Sequence, residues 1–442
     1  MSVPTLQDAI DSAGSPMHLL WKPSAAPWTG PRVPAEFSGW AEEQAAWHRS
    51  VALFDLSFHM SDLFIEGADA VRLLGDVSAN RYEPFAVGQA KQFVPVGPGG
   101  RIIGDGILLR TGEESFVLTG PRPAQNWVQY HAETGDYRVR LETDPDMGRR
   151  DGEDPRLCRF QLQGPRALEV VDRAFGGPLP AVKFFHSSEV ELDGRPIRAL
   201  RHGMAGAAGY EFIGDFADYD RFKSALLAAG RESALVQVGA LAYSTTPVES
   251  GWIASPQPAI YLDEDLEDYR RWLSAFSFEG QRPIHGSWYS DDIEDYYLSP
   301  WELGYARSIS FDNDFIGRDA LRADGGDARR VKVTLEFDPT ESRAVFGDGF
   351  FNDRGIHRVE SDGRLVGVTH HISAIGDKHL GLALVDASVS RPGSRVELVW
   401  GEHPGPDASP DAALGFARLV GTVQTSPYDE YARTTYRSAI GA

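Results

Sequence analysis

Leu63-Phe64-Ile65-Glu66-Gly67 runs directly into Ala68-Asp69-Ala70-Val71-Arg72-Leu73-Leu74, and the same pattern returns as Phe160-Gln161-Leu162-Gln163-Gly164 running into Pro165-Arg166-Ala167-Leu168-Glu169-Val170-Val171. Each copy is an apolar run, a glycine and an amphipathic stretch, which reads as strand, break and helix. Pro165 falls where a helix start tolerates proline. Gly67 and Gly164 stand 97 residues apart. After the first copy come a strand pair around 101–109 and 115–119 and a helix near 123–133. After the second come a strand pair around 196–200 and 209–213 and a helix near 216–229. Strand, helix, two strands, helix is the opening of a split βαβ unit.

The expected fold class is therefore α+β, with two similar halves. Residues 1–150 form the first, with an N-terminal extension. Residues 151–329 form the second, and a polar junction at 144–154 separates the two. Within the second half, 255–300 is rich in Tyr, Trp and acidic residues and reads as an insertion or lid. From about residue 330 short strands alternate with Gly/Pro/Asp turns, which predicts a small all-β domain over 330–442. Two-half folds commonly bind ligands at the seam.

The second half contains Arg201-His202-Gly203-Met204-Ala205-Gly206-Ala207-Ala208-Gly209-Tyr210-Glu211-Phe212-Ile213. A glycine-spaced turn delivers one carboxylate, Glu211, into an apolar strand. Such a charge is costly without a fixed partner. Its two adjacent acceptor oxygens suit a ligand edge with two N–H donors, such as an amidine, a guanidine or a pterin. The alternative is a hairpin glutamate paired with a nearby arginine. Asp105 lies on the comparable strand pair of the first half.

The 442 residues are 42% hydrophobic and 24% charged, with a formal net charge of −21. That balance argues against nucleic acid as a partner, because little would neutralise phosphates over a wide surface. The first twenty residues contain Asp8, Asp11 and His18 and lack the apolar core of a signal peptide. No apolar run is long enough to span a membrane. Cys158 is the only cysteine, which excludes intramolecular disulfides and Cys-based metal sites within the chain. The cytoplasm is the expected compartment. No Walker loop, dinucleotide fingerprint, zinc-protease motif or nucleophile elbow is present. His370 and His371 are adjacent on an expected strand and point to opposite faces, so they do not readily share a metal. No metal site is expected.

Several segments together resemble the tetrahydrofolate-dependent aminomethyltransferase family, the T-protein fold of the glycine cleavage system. They are Phe54-Asp55 with His59-Met60, Gly100-Arg101-Ile102-Ile103-Gly104-Asp105-Gly106, Gly209-Tyr210-Glu211, Glu249-Ser250-Gly251-Trp252, and Asp314-Phe315-Ile316-Gly317-Arg318-Asp319-Ala320-Leu321. Within the family the likeness is to the bacterial O-demethylases of vanillate and syringate. It is carried by Ala90-Lys91-Gln92-Phe93-Val94-Pro95-Val96, the 200–206 stretch, Ala242-Tyr243 and Ile293-Glu294-Asp295-Tyr296-Tyr297. It runs from about residue 36 to 335.

The resemblance implies two ferredoxin-like halves and a C-terminal β domain around a central channel for tetrahydrofolate. It implies methyl transfer from a small methoxy-aromatic substrate to N5 of that cofactor. Glu211, Asp105, Trp252, Gln92 and Tyr210 would bind the cofactor, Trp252 and Gln92 by lining the channel. Tyr243 would donate a proton to the departing oxygen, and His59 would assist and touch the substrate. Trp28 and Arg122 would complete the substrate pocket. Arg122 sits one residue out of register, and the N-terminal segment reads Trp28-Thr29-Gly30-Pro31 where the vanillate-type enzymes carry two tyrosines. The substrate therefore need not be vanillate. The same fold also serves N- and S-demethylases, aminomethyltransferases and non-catalytic folate-binding proteins. A monomer or small homo-oligomer is expected.

Overall fold

Gly67 and Gly164 adopt φ values of +141° and +135°, a region open in practice only to glycine. The repeat has a repeated cause: a Cβ at Gly67 would lie 2.2 Å from the Arg138 carbonyl oxygen, and one at Gly164 2.6 Å from that of Ser50. At each place the strand end presses on the backbone just before a neighbouring strand. These details come from a computed structural model, which describes residues 3–22, 32–150, 152–326 and 329–438.

The first sheet is antiparallel, in the order Ala90–Phe93, Gly106–Arg110, Ser115–Gly120, Ser61–Glu66, Arg140–Asp144. Helices Ala70–Asp76 and Arg122–Thr134 complete a ferredoxin-like unit with one extra edge strand. The second sheet runs Leu235–Val238, Val51–Asp55, Leu157–Gln163, Gly209–Asp215, Arg195–Leu200, Ser187–Leu192, with helices Ala167–Phe175 and Tyr219–Gly230. One strand departs from the expected division at residue 150. Val51–Asp55 lies inside the second sheet, parallel to Leu235–Val238 and antiparallel to Leu157–Gln163.

The C-terminal region is a closed six-strand barrel. Arg364–Ile375, Arg358–Ser361, Arg395–Trp400, Ala417–Thr425, Arg330–Phe337 and Lys378–Asp386 follow one another, and the last pairs back to the first. Closure leaves no free sheet edge among them. The short strand Asn352–Asp353 adds to Arg364–Ile375.

The reading of 255–300 as a lid within the second half is corrected. Ile260, Tyr261, Tyr269, Trp288, Tyr289 and Tyr296 are buried, and they share one core with Leu63, Phe116 and Trp127 of the first half and Leu6, Ile10 and Leu20 of the N-terminal helices. Burial of an aromatic side chain removes 150–250 Å² from water, so this segment is a structural wall of the first half.

Candidate functional site

All three parts line a cavity of about 2180 Å³. The second sheet supplies its most polar face. In Leu157–Gln163, Arg159, Gln161 and Gln163 alternate with buried apolar residues, so period-two alternation puts all three on one side. Gln161 and Gln163 hold the glycine-rich turn. The Gln161 side-chain oxygen accepts from the Met204 N–H at 3.1 Å, and that of Gln163 from Ala205 at 2.8 Å. A Cβ at Gly203 would lie 1.5 Å from the Gln163 amide nitrogen, so only glycine permits this approach.

Glu211 faces the cavity and is 7% exposed. Gln161 donates to its Oε2 at 2.6 Å. Arg159 Nε stands 3.6 Å from its Oε1, a charge contact rather than a hydrogen bond. The same guanidinium donates to both oxygens of Asp62 at 2.7 and 2.8 Å and to Thr119 at 3.1 Å. Asp62 and Thr119 belong to the first sheet, so the arginine ties the sheets together behind Glu211. Both alternatives for Glu211 thus meet here: it has an arginine neighbour, and its carboxylate still fronts the cavity.

Asp105 is 1% exposed and does not itself line the cavity, although the three side chains that bond it do. Its Oδ2 accepts from Tyr305 at 2.6 Å, the Trp252 indole at 2.9 Å and Gln92 at 3.1 Å. Its Oδ1 is buried with no partner. Burial raises its carboxyl pKa above the usual range. Trp252 follows the Gly251 left-handed cap of helix Ala240–Ser250, which also carries Tyr243.

Tyr243 and His59 meet across the cavity wall, with His59 Nε2 and the phenol oxygen 2.9 Å apart. Burial lowers the His59 pKa to about 4, so the ring is neutral at pH 7. Burial, with the Glu211 charge second, pushes the Tyr243 phenol well above its usual value of about 10. A neutral phenol able to donate therefore stands beside a neutral imidazole.

Arg122 lines the cavity from the start of its helix. Its guanidinium donates to the side-chain oxygens of Gln125, Asn126 and Gln129 at 3.2, 2.8 and 2.9 Å. Tyr210 is misplaced by the sequence reading. Its neighbour Glu211 faces the cavity, so alternation sends Tyr210 to the far side of the sheet, where it packs with Phe212, Phe160 and Val170. Trp28 lies outside the described residues. Among the described residues, no group of three or more His, Cys, Asp or Glu is placed to hold a metal. His370 lines the cavity, while His371 bonds Asn352.

Sequence reasoning missed Tyr305, Arg159, Gln161 and the cavity-lining Arg282 and Arg354. Polar residues at every second position of 159–163 are a usable signal. Tyr305, Arg282 and Arg354 sit in irregular segments without a motif.

The fold and cavity define a three-part α+β protein with a large, partly open cavity lined by all three parts. The GCVT N-terminal domain model matches residues 21–259. The chain is 38% identical to a syringate O-demethylase of Sphingobium sp. (strain NBRC 103272 / SYK-6), over 98% of this chain and 97% of that protein. It is 29% identical to a sesamin methylene transferase of Sinomonas sp. (strain No.22), over 69% and 66%. An aminomethyltransferase of Symbiobacterium thermophilum is 28% identical over 87% and 91%. The glycine cleavage system aminomethyltransferase T of Bartonella henselae superposes with a TM-score of 0.63 at 17% identity, covering 96% of each chain. The chain belongs to the GCVT aminomethyltransferase family.

Proposed function

We propose that this protein is a tetrahydrofolate-dependent O-demethylase, moving a methyl group from a methoxy-aromatic compound to N5 of tetrahydrofolate and releasing the phenol and 5-methyltetrahydrofolate. The observation that carries the reading is the Tyr243–His59 couple, set in a cavity that the buried carboxylate of Glu211 faces. The wall fits a reduced folate at Glu211, a buried acceptor facing the cavity that a ligand's ring N–H and amino groups would satisfy. Glu211, Gln92 and Trp252 would hold it, with Asp105 fixing the last two from behind. Bound tetrahydrofolate supplies N5, the nitrogen that accepts the methyl group.

The chain's own part is to position the partners and to meet the charge that develops as the carbon–oxygen bond breaks. With its proton on Nε2, His59 donates to the Tyr243 oxygen and leaves the phenol O–H pointing at the ether oxygen. Tyr243 gives that proton to the leaving oxygen, so a neutral phenol departs in place of a phenoxide. The 38% identity over nearly the whole chain to a syringate O-demethylase favours an aromatic donor over an aliphatic amine. Among the described residues no helix is long and apolar enough to cross a membrane; we place the protein in the cytoplasm, as a monomer or small homo-oligomer.

The test is anaerobic incubation with tetrahydrofolate and a panel of methoxybenzoates, read by mass spectrometry for phenol and methylfolate. Tyr243→Phe should lower kcat about 10²- to 10⁴-fold with folate affinity unchanged. No methyl transfer to folate from any donor would defeat the proposal.

A further inference from the structure

Residues 429–438 leave the barrel and return to the glycine-rich turn that leads into Glu211. Asp429 starts them, its side chain accepting from the Ala432 N–H at 2.7 Å ahead of the short helix Glu430–Thr434. Between 432 and 438 every residue except Thr435 lines the cavity. Yet from 430 to 438 only Ala432 and Tyr436 are not exposed. The segment is therefore a strap held at a few points, and a strap so held opens more readily than a core element. The holds fall on one short stretch, 201–206. Arg201, 4% exposed, donates to the carbonyl oxygens of Tyr436, at 3.3 Å, and of Ser438. Among the described residues its guanidinium has no other hydrogen-bond or ion-pair partner, so without the strap a buried cation would stand unsatisfied. The Tyr436 O–H donates to the Gly203 carbonyl at 2.7 Å, and its ring meets Phe184 edge-on with centroids 5.1 Å apart. At Gly206, φ +69°, a Cβ would stand 2.8 Å from the Cβ of Ala432.

From the turn the contacts lead on to the acid. The peptide group joining Gly203 to Met204 is bonded at both ends: its C=O accepts from Tyr436 and its N–H donates to Gln161. The amide of Gln161 in turn donates to Glu211 Oε2 at 2.6 Å. Phenol, peptide and side-chain amide thus form an unbroken run of donors and acceptors that ends on the carboxylate. Each bond in such a run polarises the next.

We propose that Tyr436 is a positioning residue for tetrahydrofolate: by fixing the 203–204 peptide, and through Gln161 the Glu211 carboxylate, it makes docking of the 429–438 strap a condition for holding the folate. The inference rests on the folate reading of Glu211. It extends that reading to a residue outside the 21–259 stretch that the family model matches. The rival is direct contact, since Tyr436 also lines the cavity. The two differ in whether the effect of Tyr436 passes through Gln161.

The experiment compares wild type, Y436F, Q161L and the double variant, all as the full chain. Y436F keeps the ring and removes the donor. It should raise the calorimetric Kd for tetrahydrofolate about fivefold and leave the KM of a methoxybenzoate donor unchanged. Q161L should weaken tetrahydrofolate by itself. Adding Y436F to it should cost less than about a further twofold, because the run of bonds is already cut. Trypsin reads the strap at the exposed Arg433 and Arg437. Cleavage of ligand-free Y436F should exceed that of wild type by the same factor of about five, and saturating tetrahydrofolate should slow cleavage of wild type. The inference is overturned if Y436F binds tetrahydrofolate as wild type does, if folate and donor weaken alike, if the two substitutions add, or if folate gives the strap no protection. Wild type that binds no tetrahydrofolate would defeat the folate reading of Glu211, and the trypsin contrast between ligand-free Y436F and wild type tells that failure from failure of the strap's hold on the turn.

Discussion

Asp105 and Glu211 are both buried acids beside one cavity, but only Glu211 lines it, and the two halves treat them differently. Glu211 has a cation behind it, Arg159, itself anchored to Asp62. Asp105 has three neutral donors crowded on one oxygen and a bare second oxygen. Neutral donors lower the cost of a buried charge less than a cation does, and the Asp105 carboxyl is accordingly pushed up by burial. The second half thus holds a structural ion network that ends in a ligand-facing acid. The first half holds an acid sealed behind its cavity-lining donors, with one oxygen left without a partner.

The sharpest way to break this contrast is to remove the cation. Arg159→Leu strands Asp62 and Glu211, two buried charges, and should cost about 3–5 kcal/mol of stability, measured by urea unfolding. Gln92→Leu, which removes one neutral donor from Asp105, should cost no more than about 1–2 kcal/mol. Equal losses would mean that Arg159 contributes no more than an ordinary donor. Next in size come the isosteric amides. Glu211→Gln should weaken tetrahydrofolate binding about 10²-fold by calorimetry, because it replaces a charged acceptor by a neutral one at two ligand N–H groups. Asp105→Asn should weaken it about tenfold or less, since Asp105 stands behind the cavity-lining Gln92 and Trp252 and does not itself line the cavity.

Much of this arrangement is legible in the order of the amino acids. The strand–glycine–helix echo points to both ferredoxin-like halves because Gly67 and Gly164 answer the same steric demand. Glu211 stands out because a lone acid in an apolar strand needs a reason. Tyr210 is an avoidable misreading: period two assigns it to the face opposite Glu211. Other features leave no local trace. Nothing within Val51–Asp55 says that it pairs with Leu235–Val238, nearly two hundred residues away, because pairing across such a distance is decided by the assembled sheet. The aromatic richness of 255–300 is visible, but composition does not say which surface it will cover. Tyr305 and Arg354 reach the cavity from loops whose paths are fixed by the packing of other parts.

The smallest effect, and the one that tests the Asp105 half of the contrast alone, is on pH. A carboxyl whose pKa is raised in the folded state binds its proton more tightly there than in the unfolded chain. Between the unfolded value of 3.8 and its raised folded value, the native state therefore carries more protons, and stability falls as pH rises through that window. Asp105→Asn deletes this titration. The variant should match wild type in Tm at the acid end of the window and exceed it at pH 7. The gain should be up to about 1.4 kcal/mol for each unit by which the carboxyl is raised, trimmed because an amide leaves one of the three donors without its acceptor. A ligand in the cavity meets Gln92, Trp252 and Tyr305 rather than the sealed Oδ1 behind them. The Tm gap between variant and wild type should therefore persist when saturating tetrahydrofolate is added. A gap that closes with ligand would place the bound molecule on Asp105 itself and end the contrast with Glu211.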